Sequence, residues 1–313
     1  MKDIKPIIVG IQKSFLTKKE YNLFTVFKPI GYIIFSRNIK SLSRLKSLIL
    51  LLKSINPNCK TIIMIDHEGG RVNRFNNILD QRKLTAKYFG DLFKTNIKKF
   101  YKEINSFVNC NSNLFNFVGI NLVAAPVLDI FYKKKSNVIG DRAFSSDPKD
   151  IKKIGNILIT KYKKNKIKSI GKHVPGHGLS KVDSHFYLPI VNHSLKYLTE
   201  NDISCFANIR SDFLMTAHIL FSSIDSKNLA SHSNIIINKI IKKNLRFKGL
   251  IMSDDLNMKS LRGPILKRAQ KSLLAGCDIV LHCNGNYCEM KVLLERLPTI
   301  SSTLIKKINK IFN

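Results

Sequence analysis

The segment Gly249-Leu-Ile-Met-Ser-Asp-Asp-Leu-Asn-Met258 decides the fold, because it joins a short apolar run directly to a polar cluster. Residues 249–253 have the length and side chains of a buried strand, and Asp254 and Asp255 follow at once. The same pattern recurs along the chain, for instance where Ile65 precedes Asp66. Eight apolar runs are predicted strands: residues 7–11, 31–35, 61–65, 119–124, 167–171, 213–217, 249–253 and 279–282.

Amphipathic stretches of helical period separate these runs. The clearest predicted helices are residues 41–54, 233–244 and 262–275, and the stretch that follows Asp147-Pro148. In that stretch Asp147 can cap a first turn that Pro148 opens. Eight alternations of strand and helix predict an α/β protein, a single (β/α)8 barrel or TIM barrel over residues 1–313. No repeat, linker or change of composition divides the chain.

In such a barrel the carboxyl ends of all strands open on one face, where active sites are built. Polar residues follow most of the predicted strands. Residues far apart in sequence are therefore expected to converge on one mouth, and the pattern indicates a catalytic face.

The composition is that of a globular protein, with 44% hydrophobic and 24% charged residues among 313. No apolar run is long enough to span a bilayer, and the N-terminus has no apolar stretch of signal-peptide length. The six cysteines lack paired zinc-type spacing, which suits reduced thiols. We expect a cytoplasmic protein, a monomer without a membrane partner.

The formal net charge of +32 has two interpretations. A basic surface can bind nucleic acid, because it neutralises phosphates. Alternatively, lysine is spread evenly beside abundant isoleucine and asparagine, as in a proteome that drifts under AT-rich mutation. No basic motif interleaved with aromatic residues is present. We favour the second interpretation and expect no specific nucleic-acid partner.

The first polar segment is Ile65-Asp-His-Glu-Gly-Gly-Arg-Val-Asn-Arg74. The Asp66 carboxylate could accept two hydroxyl hydrogen bonds, which suits a polyol ligand. The pair Gly69-Gly70 lets the loop turn sharply and approach a ligand. A salt-bridged loop without a ligand explains the segment equally well.

The second polar segment is Gly171-Lys-His-Val-Pro-Gly-His-Gly-Leu-Ser-Lys-Val-Asp-Ser-His185. Asp183 and His185 are two positions apart, so a local hydrogen bond could orient the imidazole and raise its basicity for general acid–base catalysis. A metal site is the alternative, with ligands His173, His177, His185 and His218. Pro175 and Gly176 interrupt any helix between the first two of these. We therefore favour acid–base or substrate contact, with no metal and no other cofactor.

The third polar segment contains Asp254 and Asp255 at the end of a predicted strand. One carboxylate would point inward, where it could act as a nucleophile, a base or a metal ligand. A helix N-cap would explain one of the two but not both.

The chain resembles glycoside hydrolase family 3, and within it the bacterial cytoplasmic β-N-acetylglucosaminidases of peptidoglycan recycling. The resemblance keeps its order over nearly the whole chain, and the loop of the second segment is highly specific to this branch. The matching segments are Gly31-Tyr-Ile-Ile-Phe-Ser-Arg-Asn38, Asp66-His-Glu-Gly-Gly-Arg-Val72, Ala125-Pro-Val-Leu-Asp129, Arg142-Ala-Phe144, Lys172-His-Val-Pro-Gly-His-Gly178, Asp183-Ser-His185, Met215-Thr-Ala-His218, Ser253-Asp-Asp-Leu256 and Ala275-Gly-Cys-Asp278.

The resemblance implies a retaining exo-β-N-acetylglucosaminidase that forms a covalent glycosyl-enzyme. Asp254 would be the nucleophile, and His185, oriented by Asp183, the acid and base. The residues that would hold the sugar are Asp66, Arg74, Arg142, Lys172 and His173. The implied substrate is a muropeptide fragment such as GlcNAc-1,6-anhydro-MurNAc, with or without its peptide.

The chain departs from the family pattern at a few positions. Val174 stands where Phe is usual and His67 where Gln is common. A His as acid–base residue differs from the two carboxylates of most retaining glycosidases, but this branch is known for it. The end of the sequence at Asn313 suggests the small one-domain type. Two rival functions stay open: a metal-dependent hydrolase on the same fold and a non-catalytic basic protein that binds RNA or another anionic polymer.

Overall fold

The computed structural model describes residues 4–57, 59–133, 138–184 and 186–313. Within these residues the strands are β1 (Ile4–Gly10), β2 (Lys28–Ile34), β3 (Ile62–Ile65), β4 (Leu122–Val123), β5 (Lys168–Val174), β6 (Ile190–Val191), β7 (Phe213–Thr216), β8 (Leu220–Phe221), β9 (Leu250–Asp255) and β10 (Ile279–His282). The α-helices are α1 (Lys18–Val26), α2 (Leu42–Ser54), α3 (Ala86–Thr95), α4 (Ile97–Val118), α5 (Pro148–Lys164), α6 (Leu195–Glu200), α7 (Ile265–Ala275), α8 (Tyr287–Arg296) and α9 (Ser302–Phe312). A π-helix covers Ile235–Asn244, and short 3-10 turns cover Ser36–Asn38, Gly140–Arg142, Ile203–Phe206 and Ala230–His232.

Eight of the strands close into a barrel in the order β1-β10-β9-β7-β5-β4-β3-β2. Each neighbouring pair in this barrel is parallel. The remaining strands, β6 and β8, form a separate two-stranded sheet. The predicted (β/α)8 barrel is therefore confirmed, and each of the eight predicted strands overlaps a barrel strand.

Local sequence explains where several elements begin and end. The Asp147 carboxylate accepts a 2.8 Å hydrogen bond from the Lys149 N–H and caps α5, as predicted. Helix α7 begins three residues later than predicted, because Pro264 has an extended backbone just before it. Strand β4 is shorter than predicted, since Gly119 has a φ of 92° and forms the left-handed C-cap of α4. The predicted helix at 233–244 is a π-helix from Ile235.

The barrel interior is filled by apolar side chains from alternate strands. Ile8, Met64 and Met252 belong to one buried cluster there. Helix α9 covers the amino-terminal end of the barrel, where Ile308 joins the same cluster and Phe312 lies 6.0 Å from the Phe213 ring. Burying each side chain of this size contributes roughly 1.5–3 kcal/mol, so this packing stabilises the barrel beneath the carboxyl-end face.

No helix in the described part of the chain is both long and apolar enough to cross a membrane. All six cysteines are free thiols, three of them buried.

Candidate active site

Asp66 follows β3 and is held by two cations at the carboxyl end of the barrel. Its Oδ1 lies 2.7 Å from Lys172 Nζ, and its Oδ2 accepts from the Arg74 guanidinium. Arg74 Nε also donates to the Asp66 carbonyl at 2.8 Å, and the guanidinium lies over the Phe35 ring. Burial alone would raise the pKa of Asp66, but Lys172 and Arg74 outweigh it and hold the pKa well below its usual range.

Glu68 continues this ion network. Lys172 Nζ lies 2.5 Å from Glu68 Oε1, and Arg142 donates two hydrogen bonds of 2.8 Å to the same carboxylate. Burial opposes ionisation of Glu68, but Arg142 and then Lys172 lower its pKa to about 2. Two carboxylates and three cations thus stabilise one another in a site that excludes most water.

His173 is fixed by a buried carboxylate from the other side. Its Nδ1 lies 2.7 Å from Asp129 Oδ2, and Asp129 Oδ1 accepts from the backbone N–H groups of His173 and His177. Asp129 therefore ties the end of β5 to the start of the following loop. His173 presents its remaining ring nitrogen, Nε2, to a ligand or to solvent.

The loop after β5 folds over the barrel mouth. His177 Nε2 is 3.0 Å from Ser184 Oγ, and burial lowers the pKa of His177 to about 4, so this imidazole is neutral. The Asp183 carbonyl accepts from the N–H groups of Phe186 and Tyr187. His185, the predicted acid–base residue, lies outside the described residues, and its pairing with Asp183 stays a prediction.

Asp254 and Asp255 end β9 with different surroundings. Asp254 Oδ1 accepts a 2.7 Å hydrogen bond from the Asp255 N–H. Burial opposes ionisation of Asp254, but His173 and His218 outweigh it, so its pKa lies below the usual value. Asp255 Oδ1 accepts from the N–H groups of Cys283 at 3.0 Å and Asn257 at 3.1 Å, and burial raises the pKa of Asp255 to about 6.

His218, at the end of β7, uses both ring nitrogens within the protein. Its Nδ1 lies 2.7 Å from Ser231 Oγ, and its Nε2 lies 3.0 Å from the Asp255 carbonyl. Because the Asp255 carbonyl is an acceptor, Nε2 carries the proton. Neither nitrogen is therefore available as a metal ligand.

A cavity of about 150 Å³ opens where these strand ends meet. The predicted site residues that line it are Asp66, Arg74, Arg142, Lys172, His173 and Asp254. The loop contributes Ser184, the neighbour of Asp183. The structure thus brings together six of the eight predicted site residues around one cavity.

Sequence reasoning missed three contributors to this site. Glu68 pairs with Lys172, Asp129 fixes His173, and Cys283 lines the cavity and donates its N–H to Asp255. Glu68 is two positions from Asp66 in a segment already singled out, and Asp129 follows a predicted strand. The positions of Glu68 and Asp129 in the sequence could therefore have identified them as site residues. Their partners could not be predicted in this way.

The metal alternative requires histidines that are close together and have free ring nitrogens. Among the described ranges, no three His, Cys, Asp or Glu side chains are grouped so that they could hold a metal ion. His173 and His177 have ring centroids 5.5 Å apart, but a turn and not a helix joins them. Together with the engaged nitrogens of His218, this leaves no preformed histidine cage in that part of the chain.

A (β/α)8 barrel whose mouth presents carboxylates and cations around one cavity has the construction of a barrel hydrolase acting on a polar substrate. Residues 26–311 match the glycosyl hydrolase family 3 N-terminal domain, and the chain belongs to this family of glycoside hydrolases. The family predicted from the sequence motifs is confirmed.

Individual relatives match over nearly the full chain. The chain is 30% identical to a β-hexosaminidase of Idiomarina loihiensis over 323 residues, which cover 97% of this chain and 91% of the relative. NagZ from Neisseria gonorrhoeae in complex with N-trifluoroacetyl-D-glucosamine superposes with a TM-score of 0.88 at 29% identity, over 100% of this chain and 91% of NagZ. The same NagZ has also been solved in complex with zinc ion, with a TM-score of 0.85 at 28% identity, over 100% of this chain and 92% of that one.

Proposed function

We propose that the protein is a retaining exo-β-N-acetylglucosaminidase that removes terminal GlcNAc from peptidoglycan fragments such as GlcNAc-1,6-anhydro-MurNAc, with or without peptide. The observation that carries the proposal is the position of Asp254, an ionised carboxylate on the wall of a cavity lined by Asp66, Lys172 and His173. The neighbouring NagZ structure holds a glucosamine derivative, which supports a GlcNAc-type ligand here.

The nucleophile is Asp254 and not Asp255. Asp255 Oδ1 already accepts two backbone N–H groups, and burial favours its neutral form. Asp254 accepts only the Asp255 N–H, on Oδ1, so its Oδ2 has no hydrogen-bond partner among the described residues. An ionised carboxylate with one free oxygen suits attack at an anomeric carbon.

The sugar hydroxyls are held by the ion network beside the nucleophile. Asp66 can accept hydrogen bonds from hydroxyl groups, and so can the Nε2 of His173, because the Asp129 carboxylate holds the ring proton on Nδ1. Lys172 and Arg74 can donate. Arg142 directs its Nε and Nη2 to Glu68. We assign Arg142 a role at the cavity wall, where it keeps Glu68 ionised and leaves Lys172 oriented towards the sugar.

The reaction proceeds in two displacements. Asp254 Oδ2 attacks C1 of the GlcNAc residue while the bond from C1 to the glycosidic oxygen breaks, and that oxygen takes a proton from His185. In the second step His185 takes a proton from water, the water oxygen bonds to C1, and the ester bond to Asp254 breaks. Two inversions at C1 leave the β-configuration in the product.

A chromogenic aryl β-GlcNAc substrate tests this function. The purified protein should release the aryl alcohol, and rapid acid quenching during turnover should show a protein mass increased by one N-acetylglucosaminyl group. Peptide mapping should place the added mass on Asp254. Turnover without any adduct, or an adduct on Asp255, would contradict the mechanism, and no turnover on aryl or muropeptide substrates would contradict the function.

A further inference from the structure

A second concave surface lies at the opposite end of the barrel. Strands β5, β7 and β9 begin there, and the same three strands carry Lys172, His218 and Asp254 at or just beyond their other ends. We call this surface the cationic basin, a depression of about 710 Å³ in which seven of seventeen lining residues are cationic. The seven are Lys163, Lys168, Arg210, Arg246, Lys248, Lys307 and Lys310.

The charge balance of the cationic basin differs from that of the chain. The whole chain has 53 basic and 21 acidic residues, whereas the basin has seven basic residues and Asp212 as its one acidic residue in the described lining. An even spread of lysine over the surface would place two or three carboxylates among seven cations. The basin is therefore one or two carboxylates short of the proportion in the whole chain.

Three of the seven cations have an ordinary structural explanation. Lys163 and Lys310 lie in the last turns of α5 and α9, where a positive charge favours the negative end of the helix dipole. Lys307 Nζ donates to the Gly249 carbonyl at 2.8 Å. These contacts support the fold and need no ligand.

The other four cations have no such role. Lys168 opens β5, and Arg210, Arg246 and Lys248 lie on exposed loops. Within the described residues, none of the four has a carboxylate within salt-bridge distance. Asp212 likewise has no cation within that distance there. Their mutual repulsion is therefore not offset by a protein anion.

We propose that the cationic basin binds a small ligand carrying three or more phosphate charges, such as an inorganic oligophosphate or a nucleoside triphosphate. Two guanidinium groups can each bind phosphate oxygens in a bidentate way, and the lysines add point charges. The volume lies in the range of about 300–1,000 Å³ that small-molecule sites occupy. A concave basin suits a compact ligand better than an extended polymer, and the proposal is independent of the glycosidase function.

Calorimetric titration of the whole protein with inorganic tripolyphosphate tests the proposal. We expect saturable one-to-one binding at 50 mM salt that weakens as salt rises, because screening reduces these attractions. The double variant Arg210→Gln, Lys248→Gln should bind about tenfold more weakly or worse. The matched control Lys98→Gln, Lys102→Gln removes the same charge from exposed positions of α4 and should stay within about twofold.

Adenosine triphosphate forms a second arm. Tighter binding than tripolyphosphate would assign the nucleoside triphosphate, and equal binding would assign the phosphate chain alone. Glycosidase turnover of both double variants should match the wild type, which verifies their fold. Absence of saturable binding, equal weakening by the two double variants, or binding of a single-stranded oligonucleotide without tripolyphosphate would each overturn the proposal.

Discussion

The Asp255 N–H donates a 2.7 Å hydrogen bond to Asp254 Oδ1, and the pKa values of these two neighbours shift in opposite directions. The bond stabilises negative charge on Asp254. Asp255 itself turns towards the backbone N–H groups of Asn257 and Cys283. Adjacent carboxylates on one strand therefore have different surroundings, which supports the chemical role proposed for Asp254 and a structural one for Asp255.

The first prediction concerns this pair. Asp254→Asn should lower kcat on a chromogenic β-GlcNAc substrate by about 10³-fold or more, because an amide cannot form the covalent intermediate. Asp255→Asn should retain most of the activity, within about tenfold, since its contacts with the N–H groups at 257 and 283 can be made by an amide oxygen. Steady-state kinetics of both variants decide the assignment, and the reverse order of losses would move the nucleophile to Asp255.

The second prediction concerns the buried ammonium of Lys172. Lys172→Met leaves Asp66 and Glu68 without their shared cation, and breaking a buried pair in this way typically costs about 3–5 kcal/mol. Because Arg74 and Arg142 remain, we expect a loss of unfolding free energy near the lower end, about 3 kcal/mol. Urea titration monitored by circular dichroism measures it.

The exposed pair Lys87–Asp91 on α3 provides the matched control for Lys172. Lys87→Met should change the unfolding free energy by less than about 1 kcal/mol, because a surface ion pair is screened by solvent. Equal losses in the two variants would mean that the network at Asp66 and Glu68 contributes nothing beyond a surface pair.

The barrel could be predicted because each of its signals is local. Strand β10 has the predicted bounds, since the apolar run Ile279–His282 is short and lies between polar residues. Asp66, Lys172 and Asp254 were expected at the same mouth because each follows or ends a strand. The hydrophobic periodicity of the chain and the polar residues at strand ends are therefore enough to predict the barrel and the location of its candidate site.

Partners across the barrel could not be predicted from the same signals. Asp129 and His173 are 44 residues apart, and Glu68 and Arg142 are 74 apart. Which carboxylate meets which cation depends on strand register and loop length, and neither is encoded in a short window. The shortened β4 is a smaller example. Residues 119–124 have the side chains of a strand, but Gly119 is the C-cap of α4.

The third prediction concerns Asp202, a buried carboxylate packed against Gly176 in the loop after β5. It accepts from the Tyr132 hydroxyl at 2.8 Å, and burial raises its pKa to about 7. A carboxyl with a raised folded pKa loses stability as pH rises from about 4 through 7. Asp202→Asn abolishes this loss, so the variant should gain on the order of 3 kcal/mol relative to the wild type between pH 4 and pH 8.

Urea unfolding of the wild type and Asp202→Asn across that pH range measures the difference. Asp147→Asn is a suitable control, because Asp147 caps α5 at the surface and an asparagine can cap equally well. A difference between Asp202→Asn and the wild type that stays constant with pH would show that the Asp202 carboxyl does not titrate in this range.

The fourth prediction concerns metal. Since the proposed displacement uses Asp254 and a histidine, and His218 has both nitrogens engaged, exhaustive chelation should leave kcat/KM unchanged. Because NagZ from Neisseria gonorrhoeae has been solved in complex with zinc ion, zinc should also be added back to the chelated protein. Activity that falls on chelation and returns with zinc would favour the metal-dependent hydrolase instead.

The fifth prediction separates the two roles proposed for His185. An activated aryl alcohol leaves as a stable anion, so loss of the general acid should slow aryl release by less than about tenfold, whereas disaccharide turnover should fall by about 10²–10⁴-fold. His185→Ala should therefore show an aryl burst followed by slow hydrolysis of the glycosyl-enzyme. Azide, which needs no general base, should restore that second step. Asp183→Asn should show the same selectivity with a smaller loss, because Asp183 only tunes the imidazole. Equal damage to both substrates, without azide rescue, would mean that His185 positions the sugar and transfers no proton.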